Sequence, residues 1–163
     1  MHTPHQLIDH LQIILTRKTF SFAHYITISS PYVAPDKATL WDLAVSQAGE
    51  DHEAALSLGR LIISLGGVPQ PGIFDELAAD TNYLSIPYMM KELLQRRLDE
   101  MVQTEKSLPL CDGYPTAREC LLQILETEKA QIEQINKAVA AVAPRQEIVV
   151  ETSPDETPTT AGE

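Results

Sequence analysis

Three charged residues, Lys18, Asp51 and Glu128, stand in long helical patterns at positions where an apolar residue is expected. Each pattern repeats apolar residues at alternating spacings of three and four, the periodicity of one helix face. The stripes are Leu7, Leu11, Ile14, Tyr25 and Ile28 around Lys18; Leu40, Ala44, Ala48, Leu58, Ile62 and Leu65 around Asp51; and Leu121, Leu125, Ile132, Ile135, Val139 and Val142 around Glu128. We therefore expect the three charges to point into the shared interior of a helical bundle.

A charge in such an interior needs compensation. Burying it without a partner costs several kcal/mol or more, so buried charges pair with each other, become neutral, or bind a metal ion. The pattern alone leaves these three alternatives open.

The periodicity predicts four helices, at 4–29, 39–65, 86–108 and 116–143. The second ends at the Gly66-Gly67 pair with Pro69 beyond, which is a typical stop signal. The fourth opens with Thr116 and Glu119, the spacing of a capping box, and ends before Pro144. The all-α pattern favours a four-helix bundle.

The connections between these helices are unequal. The first and third are short, but the second, 66–85, is long enough to carry the chain along the full bundle, which favours one crossover. We predict a single bundle domain over 1–144. The acidic segment 145–163, with Pro154 and Pro158, is expected to be disordered. Its apolar patch, Ile148-Val149-Val150, leaves a docking peptide as the alternative.

Charge and hydropathy limit the partners. The net charge is −11 and no Lys/Arg cluster occurs, which argues against a nucleic-acid partner. No apolar run is long enough for a membrane span, and the N-terminus has no signal-peptide pattern, so we expect a cytoplasmic protein. The two cysteines, Cys111 and Cys120, form no CxxC motif, and a reduced pair is favoured over a disulfide.

Three stretches resemble the bacterioferritin and ferritin-like superfamily, and the resemblance covers most of 7–135. The segment 60–69, RLIISLGGVP, resembles the end of the family's second helix. The segment 92–95, with Leu98 and the later 106–108, resembles its third helix, and 124–132, ILETEKAQI, resembles its fourth. The resemblance implies a ferritin-like four-helix bundle with a long crossover between the second and third helices.

The resemblance also implies where an iron site would stand. The family's ferroxidase centre uses one Glu on each of the first and third helices, and a Glu-x-x-His pair on each of the other two. The corresponding positions here are Lys18 on the first helix, Asp51 and Ala54 on the second, Met101 or the neighbouring Glu100 on the third, and Glu128 and Gln131 on the fourth. No Glu-x-x-His occurs anywhere in the sequence, so the usual dinuclear site cannot be built in any register.

We therefore expect a vestigial centre in which Lys18 bridges Asp51 and Glu128, with Gln131 or Tyr25 as a further partner. Such a protein is expected to bind no cofactor and to act as a structural or regulatory subunit related to iron handling rather than as an enzyme. The alternative is a haem- or metal-binding iron-storage or ferroxidase subunit, with a single iron held among the same carboxylates.

Two further features concern haem and assembly. His52 follows Asp51, where bacterioferritins carry the methionine that ligates haem across a dimer interface, so it is a possible haem ligand.

The first two helices carry apolar residues beyond one stripe: Ile8, Ile13, Leu15, Leu56 and Ile63. A helix that is apolar on more than one face is usually buried on more than one face, which favours a homodimer through these helices. A higher oligomer or co-assembly with an active ferritin-like subunit is the extension of this prediction.

Overall fold

A computed structural model describes residues 4–29, 31–73 and 84–143 of the chain. The α-helices in these ranges are α1 (Pro4–Thr19), α2 (Phe22–Ser29), α3 (Ala38–Ser64), α4 (Ile86–Ser107) and α5 (Pro115–Val142). Short 3-10 segments, Pro35–Lys37 and Leu108–Cys111, precede α3 and follow α4. The segment 145–163, for which we predicted disorder or a docking peptide, lies outside the described residues, so both interpretations stay predictions.

The prediction of one helix over 4–29 is wrong at its centre, where the helix is interrupted between α1 and α2. Phe20 closes α1 through its N–H, which donates to the Thr16 carbonyl at 2.9 Å. Ser21 then begins α2, because its Oγ accepts the His24 N–H at 3.3 Å in the geometry of an N-cap. The β-branched and aromatic residues around this point are weaker helix formers than the residues before them. Both helices pack against α3 and together form the first leg of the bundle. The other three legs are α3, α4 and α5.

The remaining helices begin and end within one residue of the predicted bounds. The predicted capping box at the start of the fourth helix is wrong. Tyr114 is the N-cap residue of α5, Pro115 occupies the first turn, and no side chain caps this end. Proline fits this position because the N–H that it lacks would have no partner inside the helix.

The connection after α3 runs along α1. The side-chain amide of Gln12 binds the backbone of this connection through both of its polar atoms. Its Nε2 donates to the Val68 carbonyl at 2.7 Å, and its Oε1 accepts the Gln70 N–H at 2.9 Å. Gly72, with a φ of 75°, approaches Thr16 so closely that a Cβ would lie 3.2 Å from that side chain. Residues 68–72 therefore follow the first leg in the direction of α1. α4 begins at the end of the bundle opposite to the end of α3.

Two apolar clusters fill the bundle. One contains Phe22, Ala23, Tyr25, Ile26, Leu40, Ala44, Ile86, Met89, Met90, Leu93 and Ile135. The other contains Leu7, Leu11, Ile14, Leu15, Leu58, Leu61, Ile62, Cys111, Ala117, Leu121 and Ile124. On every leg, a stretch of buried polar residues separates the positions that belong to the two clusters. A polar layer therefore crosses the middle of the bundle.

A buried ion cluster as the candidate functional site

The polar layer takes side chains from all four legs of the bundle. Its members are Lys18 and Ser21 from the first leg, Gln47 and Asp51 from α3, Arg97, Glu100 and Thr104 from α4, and Glu128 and Gln131 from α5. None is more than 8 % exposed. We call the five charged members, Lys18, Asp51, Arg97, Glu100 and Glu128, the ion cluster.

Lys18 lies among all three carboxylates of the ion cluster. Its Nζ is 2.9 Å from Glu128 Oε1, 3.2 Å from Glu100 Oε2 and 3.5 Å from Asp51 Oδ1. Burial by itself lowers the pKa of this ammonium, but the carboxylates, led by Glu100, outweigh burial and raise the pKa above its ordinary value. Lys18 is therefore a fixed cation across the neutral range, and it contacts both residues with which the sequence pattern grouped it.

Arg97 is the second cation of the ion cluster and was missed by the sequence analysis. Its guanidinium grips Asp51 with two hydrogen bonds, of 3.0 Å from NH1 and 2.7 Å from NH2, and NH1 also lies 2.9 Å from Glu100. The carboxylates outweigh the effect of burial and raise its pKa. The signal was present, since Arg97 continues the apolar stripe of Met90 and Leu93 just as Lys18 continues its own.

Neutral side chains also contact members of the ion cluster. Ser21 donates its hydroxyl to Asp51 Oδ2 at 2.5 Å, so the interruption of the first leg places a donor inside the polar layer. Thr104 donates to Glu128 Oε1 at 3.2 Å. Gln47 accepts from Arg97 at 3.4 Å.

Glu128 and Gln131 each keep one unpartnered oxygen. Gln131 donates through Nε2 to Glu50 Oε2 at 2.8 Å, but its Oε1 is buried without a hydrogen-bond partner among the described residues. The same holds for Glu128 Oε2. Burial raises the pKa of Glu128, and the nearby Lys18 and Thr104 offset this effect only in part.

The structure places other predicted residues away from the ion cluster or corrects their assignment. The buried α4 carboxylate is Glu100, whereas Met101, the first choice from the resemblance, is half-buried beside it. Tyr25 lies in an apolar cluster, with its ring stacked 5.8 Å from that of Phe22. Ile28, which the stripe around Lys18 placed inside, is 61 % exposed. The interruption before α2 rotates the following residues, so the face expected from one continuous helix is lost.

His52 is exposed on α3, next to the buried Asp51. It falls on one helical stripe with the exposed Val45, Leu56 and Ile63. In the described part of the chain, no helix is both long and apolar enough to cross a membrane.

A cleft of about 660 Å³ between α3 and α5 opens toward the ion cluster. Lys18 and Asp51 contribute to its floor, while Glu50 and Glu53 stand on its α3 wall. Ile124 belongs to the α5 wall. The cleft borders the ion cluster, but Lys18 and Asp51 at its floor stay buried, at 3% and 2% exposure.

No protein-family model and no curated protein matches the sequence. Among solved structures, the chain is similar to a ferritin-like, diiron-carboxylate protein from Bacillus anthracis str. Ames. The TM-score is 0.68 at 17% sequence identity, and the match covers 85% of this chain and 99% of the other. The fold is ferritin-like. At this identity the likeness extends to the fold alone, and the diiron chemistry belongs to the other protein.

The polar layer of this ferritin-like bundle does not fit a pair of iron ions. Two cationic side chains, Lys18 and Arg97, lie between the carboxylates that would have to bind metal, and both repel a cation. Among residues 4–29, 31–73 and 84–143, no group of three or more His, Cys, Asp or Glu side chains is arranged to hold a metal ion. The donor set also lacks the imidazoles that usually complete such a centre.

Proposed function

We propose that this protein is a ferritin-like subunit with a structural or regulatory role in iron handling, in which side-chain cations stand in place of metal ions. The observation that supports it best is the position of Lys18 and Arg97 between three buried carboxylates, which come from α3, α4 and α5. A carboxylate that already accepts two or more charge-assisted hydrogen bonds has little capacity left for a metal. The cluster therefore joins the legs without redox chemistry.

Metal content tests this proposal. The full chain is purified without chelators from an iron-supplemented host, and bound metal is measured by mass spectrometry together with an absorption spectrum of the same sample. We expect metal well below one ion per chain and no accumulation of ferric iron when ferrous iron and peroxide are added. About two irons per chain, the stoichiometry of a di-iron centre, would contradict the proposal.

Removing the central ammonium provides a matched comparison. In Lys18→Ala three carboxylates face only one cation, so we expect this variant to retain more divalent metal than the wild type under identical purification. Lys129→Ala removes an ammonium that is 58% exposed and is the control. Equal metal content in all three proteins, at about two ions each, would show that Lys18 does not exclude metal.

The alternative of a haem-binding subunit rests on His52, whose exposure on the apolar stripe of α3 suits a ligand shared between two copies. The absorption spectrum of protein grown with a haem precursor decides between the two functions. A Soret band that disappears in His52→Ala would favour the haem-binding subunit, and its absence favours the cofactor-free one.

A homodimer belongs to the same proposal. Ile13 on α1 and Leu56 and Ile63 on α3 are 44%, 41% and 62% exposed, which supports an interface formed by these helices. Two residues of the expected dimer surface are used differently: Leu15 is buried inside the bundle and Ile8 packs half-buried against the core. Co-assembly with an active ferritin-like subunit would use the same surface, and co-purification from the native cell tests it.

A further inference from the structure

The charges of the ion cluster do not balance when every member is ionised. The carboxylates of Asp51, Glu100 and Glu128 face two cations, Lys18 and Arg97, which leaves one negative charge. Because all five side chains are at most 8% exposed, water does little to screen that charge. An uncompensated charge at this depth is costly, so one more positive charge is required.

The hydrogen bonds of Glu128 are unevenly distributed between its two oxygens. Lys18 at 2.9 Å and Thr104 at 3.2 Å both contact Oε1. Oε2 is buried and has no partner among the described residues. This asymmetry is the pattern of a carboxylic acid, in which one oxygen accepts hydrogen bonds and the other carries the proton.

Gln131 lies one helical turn after Glu128 on α5, on the same face. Its amide orientation is set by Nε2, which donates to Glu50 Oε2 at 2.8 Å. This leaves the buried Oε1 of Gln131 as an acceptor without a donor. A single proton on Glu128 can thus satisfy both unpartnered oxygens of this face.

We propose that Glu128 is a buried proton-binding site: at neutral pH it is a neutral acid that carries the proton on Oε2 and donates it in a hydrogen bond to Gln131 Oε1. The proton then supplies the charge that the ion cluster lacks, leaving two cations opposite two carboxylates. This proposal does not depend on the proposed role in iron handling.

Groups on the first leg and on α4 act on the protonation of Glu128 in opposite directions. The cation of Lys18 on the first leg favours the charged form, as does the Thr104 hydroxyl on α4. Burial opposes them most strongly and raises the pKa of Glu128, and the negative charge of Glu100 acts in the same direction. Arg97 donates its hydrogen bonds to Glu100 and to Asp51 on α3.

A raised pKa in the folded state has a defined consequence for stability. The folded protein holds the proton in a pH range where the unfolded chain, with a glutamate pKa of about 4.3, has lost it. The contribution of Glu128 to stability is therefore complete below the unfolded pKa and declines as the pH rises through the folded pKa. Replacing Glu128 by glutamine removes this decline.

The test compares Glu128→Gln with Glu100→Gln by urea unfolding from about pH 4 into the alkaline range. Glutamine resembles a neutral acid that does not titrate, so we expect the urea midpoint of Glu128→Gln to match the wild type near the unfolded pKa of glutamate and to exceed it increasingly as the pH rises toward the folded pKa. Glu100 accepts from Lys18 at 3.2 Å and Arg97 at 2.9 Å, so its replacement should lower the midpoint strongly. An equal drop in the two variants would overturn the proposal.

Infrared spectroscopy on the full chain gives a readout that does not require the variants to be stable. With isotopically labelled glutamate, we expect the carbonyl band of a protonated carboxyl group at neutral pH, and its loss from the glutamate-labelled set in Glu128→Asp. Absence of this band in the wild type means that Glu128 is ionised and that another cation balances the cluster, which refutes the buried proton.

Discussion

At the scale of single residues, Lys18 and Arg97 stabilise the bundle only through the carboxylates around them. A buried ion pair repays the loss of hydration when its geometry is good, and replacing the whole set by apolar residues is often neutral or favourable. Removing one member is different, because its partners stay buried and unpaired. The burial of Asp51 and Glu100 is therefore tolerated only while both cations are present.

Lys18→Met is expected to destabilise the fold by about 3–5 kcal/mol, since it leaves buried carboxylates without their shared ammonium. The measurement is the free energy of unfolding from urea titration. Lys129→Met is the matched control, because Lys129 lies 4.0 Å from Glu105 at the surface and its loss should cost less than about 1 kcal/mol. Similar losses in both variants would mean that the ammonium of Lys18 is not buried among carboxylates in solution.

At the scale of elements, the interruption between α1 and α2 is the feature that connects backbone to site. An uninterrupted helix would carry Ser21 as an ordinary helical residue with its N–H bonded inside the helix. The interruption instead lets its hydroxyl act twice, accepting the His24 N–H and donating to Asp51. The site therefore uses the end of one helix and the start of the next.

Ser21→Ala removes both of these hydrogen bonds. We expect a loss of about 1–3 kcal/mol in the free energy of unfolding, which combines a helix cap with a charge-assisted hydrogen bond. Ser64→Ala is the control, because that hydroxyl only donates to the Leu61 carbonyl at the end of α3 and is exposed. A loss in Ser21→Ala no larger than in the control would argue that the first leg is one continuous helix.

At the scale of the whole molecule, exposed apolar side chains mark the outer face of the first leg and α3. Val45, Leu56 and Ile63 repeat there along one stripe of α3 and are exposed to between 41% and 62%. Such a stripe is unusual for a face that contacts only water. The proposed homodimer buries it.

The double substitution Leu56→Glu and Ile63→Glu is expected to convert the dimer into a monomer, because it places two like charges on each side of the interface. Size-exclusion chromatography with light scattering measures the mass. Val102→Glu and Leu122→Glu change residues of similar exposure on α4 and α5 and should leave the mass unchanged. A wild-type monomer at micromolar concentration would contradict the dimer directly.

The sequence by itself determined the bounds of the last three helices to within one residue, the crossover and the inward direction of Lys18, Asp51 and Glu128, because helical periodicity is a local property that spacing records. The absence of Glu-x-x-His was equally visible. Arg97 could have been found by the same reasoning. These parts of the fold and the site depend on neighbours along one helix.

Only the tertiary structure decided which charges meet and how. The choice of Glu100 over Met101 depends on the rotation of α4 against its neighbours, and one residue of register changes it. The presence of the Ser21 hydroxyl in the polar layer depends on the interruption between α1 and α2, and weak local helix preferences do not predict the position of that interruption. Two oxygens without partners, on Glu128 and Gln131, become apparent only when all four legs are packed together, because hydrogen-bond satisfaction is a property of the assembled interior.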